Sequence, residues 1–186
     1  MREKHAPGPF HPAVIAAVLL GGVAGGCTVS YSTAQGNTIS PDGASYAYKV
    51  PQGFFVEDKA DFSGMRGEHM SGVNFQIGAA VIRVSEQTLT PAPVDIAKVQ
   101  EAFVTQASQW QNPATGWKHL TVAGAPALEY HLAGLSRDGK HQETTEYAVF
   151  NGPHLVYVSC NWIAPSDKSH ALDGCAEVLK SLRLEA

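Results

Sequence analysis

The sequence predicts an α+β domain, an antiparallel sheet of about six strands with two main helices. Three observations predict it. Two glycine-turn signals, Arg137-Asp138-Gly139-Lys140 and Asn151-Gly152, separate alternating runs in the second half of the chain. Such turns join antiparallel strands. Ile96, Val99, Phe103, Ala107 and Trp110 recur at steps of three and four, which makes one helical stripe. Ala171, Cys175, Val178, Leu179 and Leu182 make a second stripe near the C-terminus.

Taken in order, Ser45 to Val50 alternates and reads as a strand, and Pro51-Gln52-Gly53 turns the chain into a short strand from Phe54 to Glu57. Asp58 to Asn74 is polar and carries Gly64, Gly67 and Gly72, so it reads as a loop or hairpin. Phe75 to Ser85 ends in Val81, Ile82 and Val84 and reads as a strand. Pro91-Ala92-Pro93 opens the first helix and Asn112-Pro113 closes it. Trp117 to Val122 is a strand, followed by a turn at Gly124. The last helix runs from Ser166, its expected cap, to Leu182.

The hairpins set a register. With Asp138 and Gly139 as the two turn residues, Tyr130 faces Tyr147, Leu128 faces Val149 and His131 faces Glu146. With Asn151 and Gly152 as the next turn, Tyr147 lies beside Val156 and Thr145 beside Val158. Leu128, Tyr130, Leu132, Tyr147, Val149, Val156, Val158, Cys160 and Trp162 then share one apolar face. That face carries Cys160, and the apolar side of the last helix carries Cys175.

The N-terminus gives an address. Arg2 and Lys4 precede fourteen residues, Ala13 to Gly26, that are all Ala, Val, Ile, Leu or Gly. A membrane-spanning helix needs about 20 apolar residues, so the run reads as a signal peptide. Ala24-Gly25-Gly26-Cys27 resembles the lipobox of bacterial lipoproteins, in which the cysteine receives a diacylglycerol. Ala24 stands where such motifs usually carry Leu. Two acyl chains hold a protein to a bilayer stably, at about 0.8 kcal/mol per buried methylene. The expected organisation is a signal peptide over 1–26, a lipidated Cys27 with a Ser/Thr/Gly-rich spacer over 27–44, and one domain over 45–186. The expected location is the outer side of a cell membrane.

Thirteen basic against seventeen acidic residues give a net charge of −4 with no basic cluster, which argues against nucleic acid as a partner. If Cys27 carries lipid, Cys160 and Cys175 remain as a pair, fifteen residues apart. Outside the cytoplasm they can form a disulfide, the alternative being two buried thiols. Their spacing lacks the paired Cys-x-x-Cys units of a zinc site.

The domain also resembles a known superfamily. Tyr48-Lys49-Val50-Pro51-Gln52-Gly53-Phe54 matches a Tyr-x-Val-Pro-x-Gly-Phe entry, and Ala123-Gly124-Ala125-Pro126-Ala127 an Ala-Gly-x-Pro-Ala turn. The turn at Phe150-Asn151-Gly152 and a final helix ending Ser181 to Leu184 complete the pattern. Together they resemble the PsbP/Mog-like superfamily and, within it, the actinobacterial LpqN/LpqT-type lipoproteins. The resemblance covers about Ser45 to Ala186 and rests on element order and turns. It implies an α/β/α sandwich and a non-enzymatic binding or accessory role, without a cofactor. The implied partners are the membrane, through the lipid, and an envelope protein, lipid or cell-wall component. No functional residue carries over from it.

No Gly-x-Ser-x-Gly, His-Glu-x-x-His, phosphate loop or dinucleotide fingerprint is present. One constellation is a metal or proton-transfer candidate. In the register above His131 lies opposite Glu146, with Glu129 on the same face. It supports an alternative reading as an envelope hydrolase or metal-dependent enzyme. The plainer reading is a cross-strand ion pair on a polar face. Phe62, Met65 and Met70 in the glycine-rich loop are candidates for a partner-binding lip, the alternative being a simple connection. Trp117, Phe150 and Tyr157 either line a groove beneath the middle helix or fill a core.

Overall fold

The computed structural model describes residues 36–57, 68–110, 112–135 and 139–185. The predicted signal peptide and Cys27 lie outside them, as do Phe62, Met65 and Asp138.

The main sheet has seven strands, one more than expected. They are β3 (Phe54–Val56), β4 (Glu68–Phe75), β5 (Val81–Thr88), β6 (Thr115–Val122), β7 (Ala125–Leu135), β8 (His141–Asn151) and β9 (His154–Ile163). Their order is β3-β4-β5-β9-β8-β7-β6, antiparallel throughout, with β9 in the middle. A small sheet pairs β1 (Thr38–Ile39), β2 (Tyr46–Lys49) and β10 (Arg183–Leu184) in the order β1-β2-β10. Helix α1 (Ile96–Ala107) covers one face of the main sheet, and α2 (Lys168–Ser181) with the small sheet covers the other. This is an α/β/α sandwich.

Several local expectations change. The segment expected as one strand from Phe75 to Ser85 turns over 76–80 and belongs to two strands. The glycine-rich stretch becomes β4 from Glu68 onward. Residues 36–44, expected as spacer, close onto the domain. Gly36 N–H donates to the Val50 carbonyl at 3.1 Å, and Thr38 pairs with Lys49. Helix α2 is capped at Asp167 rather than Ser166. Asp167 makes no side-chain cap bond; its carboxylate instead accepts the Ala79 N–H at 3.0 Å. In α1, Asp95 accepts the Lys98 N–H, as an N-cap should.

The register changes most. Leu128 pairs with Ala148, Tyr130 with Glu146 and His131 with Thr145. This is one residue away from the expected pairing, so β7 presents the opposite face. The connection is longer than a two-residue turn, since Leu135 pairs with His141. At the next hairpin Asn151 pairs with His154, which makes Gly152-Pro153 the turn. Gly152 sits at φ 58°, a conformation glycine adopts without strain. That pairing moves by two residues, so the faces of β8 and β9 stay as expected.

Two apolar layers result. Phe54, Ile82, Val149 and Val158 of the main sheet pack under α2 and under Tyr46 and Tyr48 of the small sheet. Leu128, Tyr130, Ala148, Phe150 and Leu155 pack under α1 with Phe103. Burying each large apolar side chain contributes roughly 1.5–3 kcal/mol. Cys160 on β9 is bonded to Cys175 on α2, with Cα atoms 6.0 Å apart, an ordinary disulfide span. Among the described residues no helix is long and apolar enough to cross a membrane.

Candidate functional site

The predicted cluster of Glu129, His131 and Glu146 does not assemble. The one-residue register shift puts Glu146 on the α1 face and leaves Glu129 and His131 on the other. Glu129 takes Lys118 Nζ at 2.7 Å, and His131 Nδ1 lies 2.9 Å from Thr145 Oγ1. His131 Nε2 stands 4.0 Å from Glu129 Oε1. Among the described residues no group of three His, Cys, Asp or Glu side chains could hold a metal ion. Met70 is half-buried in β4 rather than displayed on a loop.

Glu146 is nonetheless the most perturbed carboxyl. It is 6% exposed, and burial pushes its pKa up to about 7. The nearby hydroxyls of Tyr130 and Ser159 pull the other way. Neither Glu146 Oε2 nor Tyr130 Oη is aligned for a hydrogen bond. The Tyr130 and Tyr157 phenols are both raised, first by burial and next by the charge of Glu146.

Above this carboxyl lies an aromatic layer. Phe103 of α1 meets Trp110, Trp117 and Phe150 edge-on with centroids 6.1–6.3 Å apart. It meets Tyr130 at 5.7 Å and Tyr157 at 6.3 Å at a tilt. Such geometry suits the ring quadrupoles. Trp117, Phe150 and Tyr157 therefore fill a core around Phe103 rather than line an open groove.

A second cluster escaped the sequence reading. On β5, Glu86 is 2% exposed. Its Oε2 accepts the Ser45 N–H at 2.8 Å, and its Oε1 lies 2.5 Å from His154 Nδ1. The alternation Ile82, Val84, Glu86 was the available signal, because it places an acid on an apolar face. Beside it opens a depression of about 480 Å³ lined by the 40–45 loop, His154 and Glu185. Its mostly polar wall, with Asp42 and Glu185, suits a hydrated polar group rather than an acyl chain. A further buried pair joins Arg83 to Glu57 through Nε at 3.1 Å and Nη2 at 2.9 Å. Glu57 fills the space beside Gly72, where a Cβ would collide with its Oε2.

No family model matches the sequence, and no curated protein matches it. Solved structures do resemble the fold. A Bacteroides thetaiotaomicron protein superposes with a TM-score of 0.55 at 14% identity over 82% of this chain and 49% of its own. The chain thus spans about half the length of that protein. LpqN, involved in cell envelope biogenesis of Mycobacterium tuberculosis, gives 0.57 at 13% identity over 81% of this chain and 92% of its own. Cyanobacterial PsbP from Synechocystis gives 0.53 at 15% over 87% and 98%. At such identities the likeness is one of architecture, and the chain has the PsbP/Mog-like fold.

Proposed function

We propose that this protein is a membrane-anchored, extracytoplasmic lipoprotein that acts as a non-enzymatic binding or accessory module. Its partner is an envelope protein, a lipid or a cell-wall component. The observation that carries the reading is the bond between Cys160 and Cys175. Disulfides persist in oxidising compartments, and this one leaves Cys27, at the end of a lipobox-like sequence, as the remaining cysteine. The fold shared with LpqN, a protein of envelope biogenesis, supports the reading. So does the dispersal of Glu129, His131 and Glu146 over two sheet faces.

The test is fractionation of cells making wild type or Cys27→Ser, with acyl-chain labelling. The wild type takes label and sediments with membranes; Cys27→Ser does neither. Membrane retention without label would overturn the anchor. In-cell cross-linking of the anchored protein then identifies the partner.

A further inference from the structure

Glu146 occupies an unusual place. It lies on β8 directly across from Tyr130 on β7 and Ser159 on β9. Both its Oε2 and the Tyr130 hydroxyl are buried without a hydrogen-bond partner. Buried polar groups are normally paired, and an exception calls for a physical account.

The element above it is the weakly held one. Only Gln100 and Ala107 of α1 are buried, while Ile96, Val99, Phe103 and Val104 are half-buried. Helix α2 instead buries Ala171, Gly174, Cys175 and Val178 and is bonded to β9. Pro91 and Pro93 precede α1 and Pro113 follows it, so the helix is bounded by residues that cannot continue it. Helix α1 is therefore held by the noncovalent packing of Ile96, Val99, Phe103, Val104 and Ala107, while α2 is stapled.

We propose that ionisation of Glu146 releases α1 from the sheet, so that α1 is a cover whose opening is driven by rising pH. The Tyr130 and Ser159 hydroxyls favour the carboxylate, but burial outweighs them, and neither neighbouring strand supplies a cation. The titratable groups facing it are Tyr130 from β7 and Tyr157 from β9. The nearest guanidinium, Arg83, lies one strand further on across from Ser159 and is bound to Glu57. From α1 comes Phe103, which lies over Tyr130 and Tyr157; the charged Lys98 and Glu101 of α1 are exposed. From β6 comes Trp117. Opening α1 lets water reach the carboxylate and separates Phe103 from Phe150, Tyr157 and Trp117.

The sign follows from linkage. The carboxyl is raised from 4.5 to about 7 while covered. The covered state is therefore favoured when Glu146 is neutral and loses ground as pH rises between those values. From about pH 5.5 to about pH 8 the opening constant should rise roughly 30-fold.

Amide hydrogen exchange on the full-length protein in detergent, corrected for intrinsic rates, reads this directly. In the wild type, α1 amides lose tenfold or more protection over that range while α2 amides hold. In Glu146→Gln the α1 loss disappears. PH-independent α1 protection would overturn the proposal, as would equal losses in both helices or the same loss in Glu146→Gln. Glu146→Leu serves if the glutamine variant does not fold, and the wild-type contrast between helices decides without either.

Discussion

Gly174 of α2 makes the sharpest test of the packing. Replacing a glycine by alanine inside a helix normally stabilises by about 1 kcal/mol, because glycine loses the most backbone freedom on folding. Here the gain is opposed. A Cβ at Gly174 would sit 2.5 Å from Phe54 Cε2, 2.6 Å from its Cζ and 2.9 Å from Ile82 Cδ1. The Ile82 methyl is the end of a flexible side chain and can turn away. The Phe54 ring cannot, since it is 2% exposed and already packed against Phe75 with centroids 5.3 Å apart. The disulfide at the neighbouring Cys175 also limits how far α2 can withdraw. Overpacking costs about 1–3 kcal/mol, and an approach of 2.5 Å to a ring that cannot turn belongs to the upper part of that range, about 2–3 kcal/mol. Gly174→Ala should therefore destabilise by roughly 1–2 kcal/mol net of the propensity gain. Urea unfolding with the disulfide intact measures it. Ser169→Ala on the exposed side of α2 is the control and should stabilise by a few tenths of a kcal/mol or do nothing. Phe54→Leu should recover part of the loss in the Gly174→Ala background. A Gly174→Ala protein as stable as wild type would refute the reasoning and mean that α2 stands further from β5.

Other outcomes follow from the same contacts. Converting Cys160 and Cys175 to serine should cost about 3 kcal/mol for a loop of this length, read as a lower unfolding midpoint that reductant no longer changes. Glu146→Gln should match wild type near pH 4.5 and exceed it in stability by up to about 3 kcal/mol above pH 7, because the native state no longer holds a disfavoured carboxylate; parallel stability curves over this range would sink that account. Arg83→Met should cost about 3–5 kcal/mol in denaturant unfolding, since it strands the Glu57 carboxylate, whose side chain is 3% exposed.

The elements were legible because their periods are strong. Both helices and both C-terminal hairpins are present in the stretches that the stripes and glycine turns mark, with the hairpin pairings moved by one and two residues. The register of β7 was not, and the reason is physical. Alternation fixes a strand only when one face is wet. Here both faces of the sheet are covered, so Ala127 and Leu128 are buried on opposite sides. Either parity then yields a plausible apolar face. That single slip created the apparent His131–Glu146 pair and hid the contact of Glu146 with Tyr130. Strand β4 was hidden for a related reason, because Ser71 and Gly72 are buried by pairing and by Tyr46 and Glu57 rather than by their own hydrophobicity. Glu86 and His154 lie far apart in the chain and meet only because β5 pairs with β9.

The small sheet has a mechanical meaning. A pull on the chain before Gly36 enters β1 and passes to β2. From β2 it divides between β10 and the flank of α2, where Ser181 Oγ accepts the Lys49 N–H. Helix α2 passes the load through a covalent bond to β9, the strand with three neighbours on either side. Tension applied at Gly36 therefore reaches the middle of the sheet without crossing α1, so the proposed cover is left out of the loaded path.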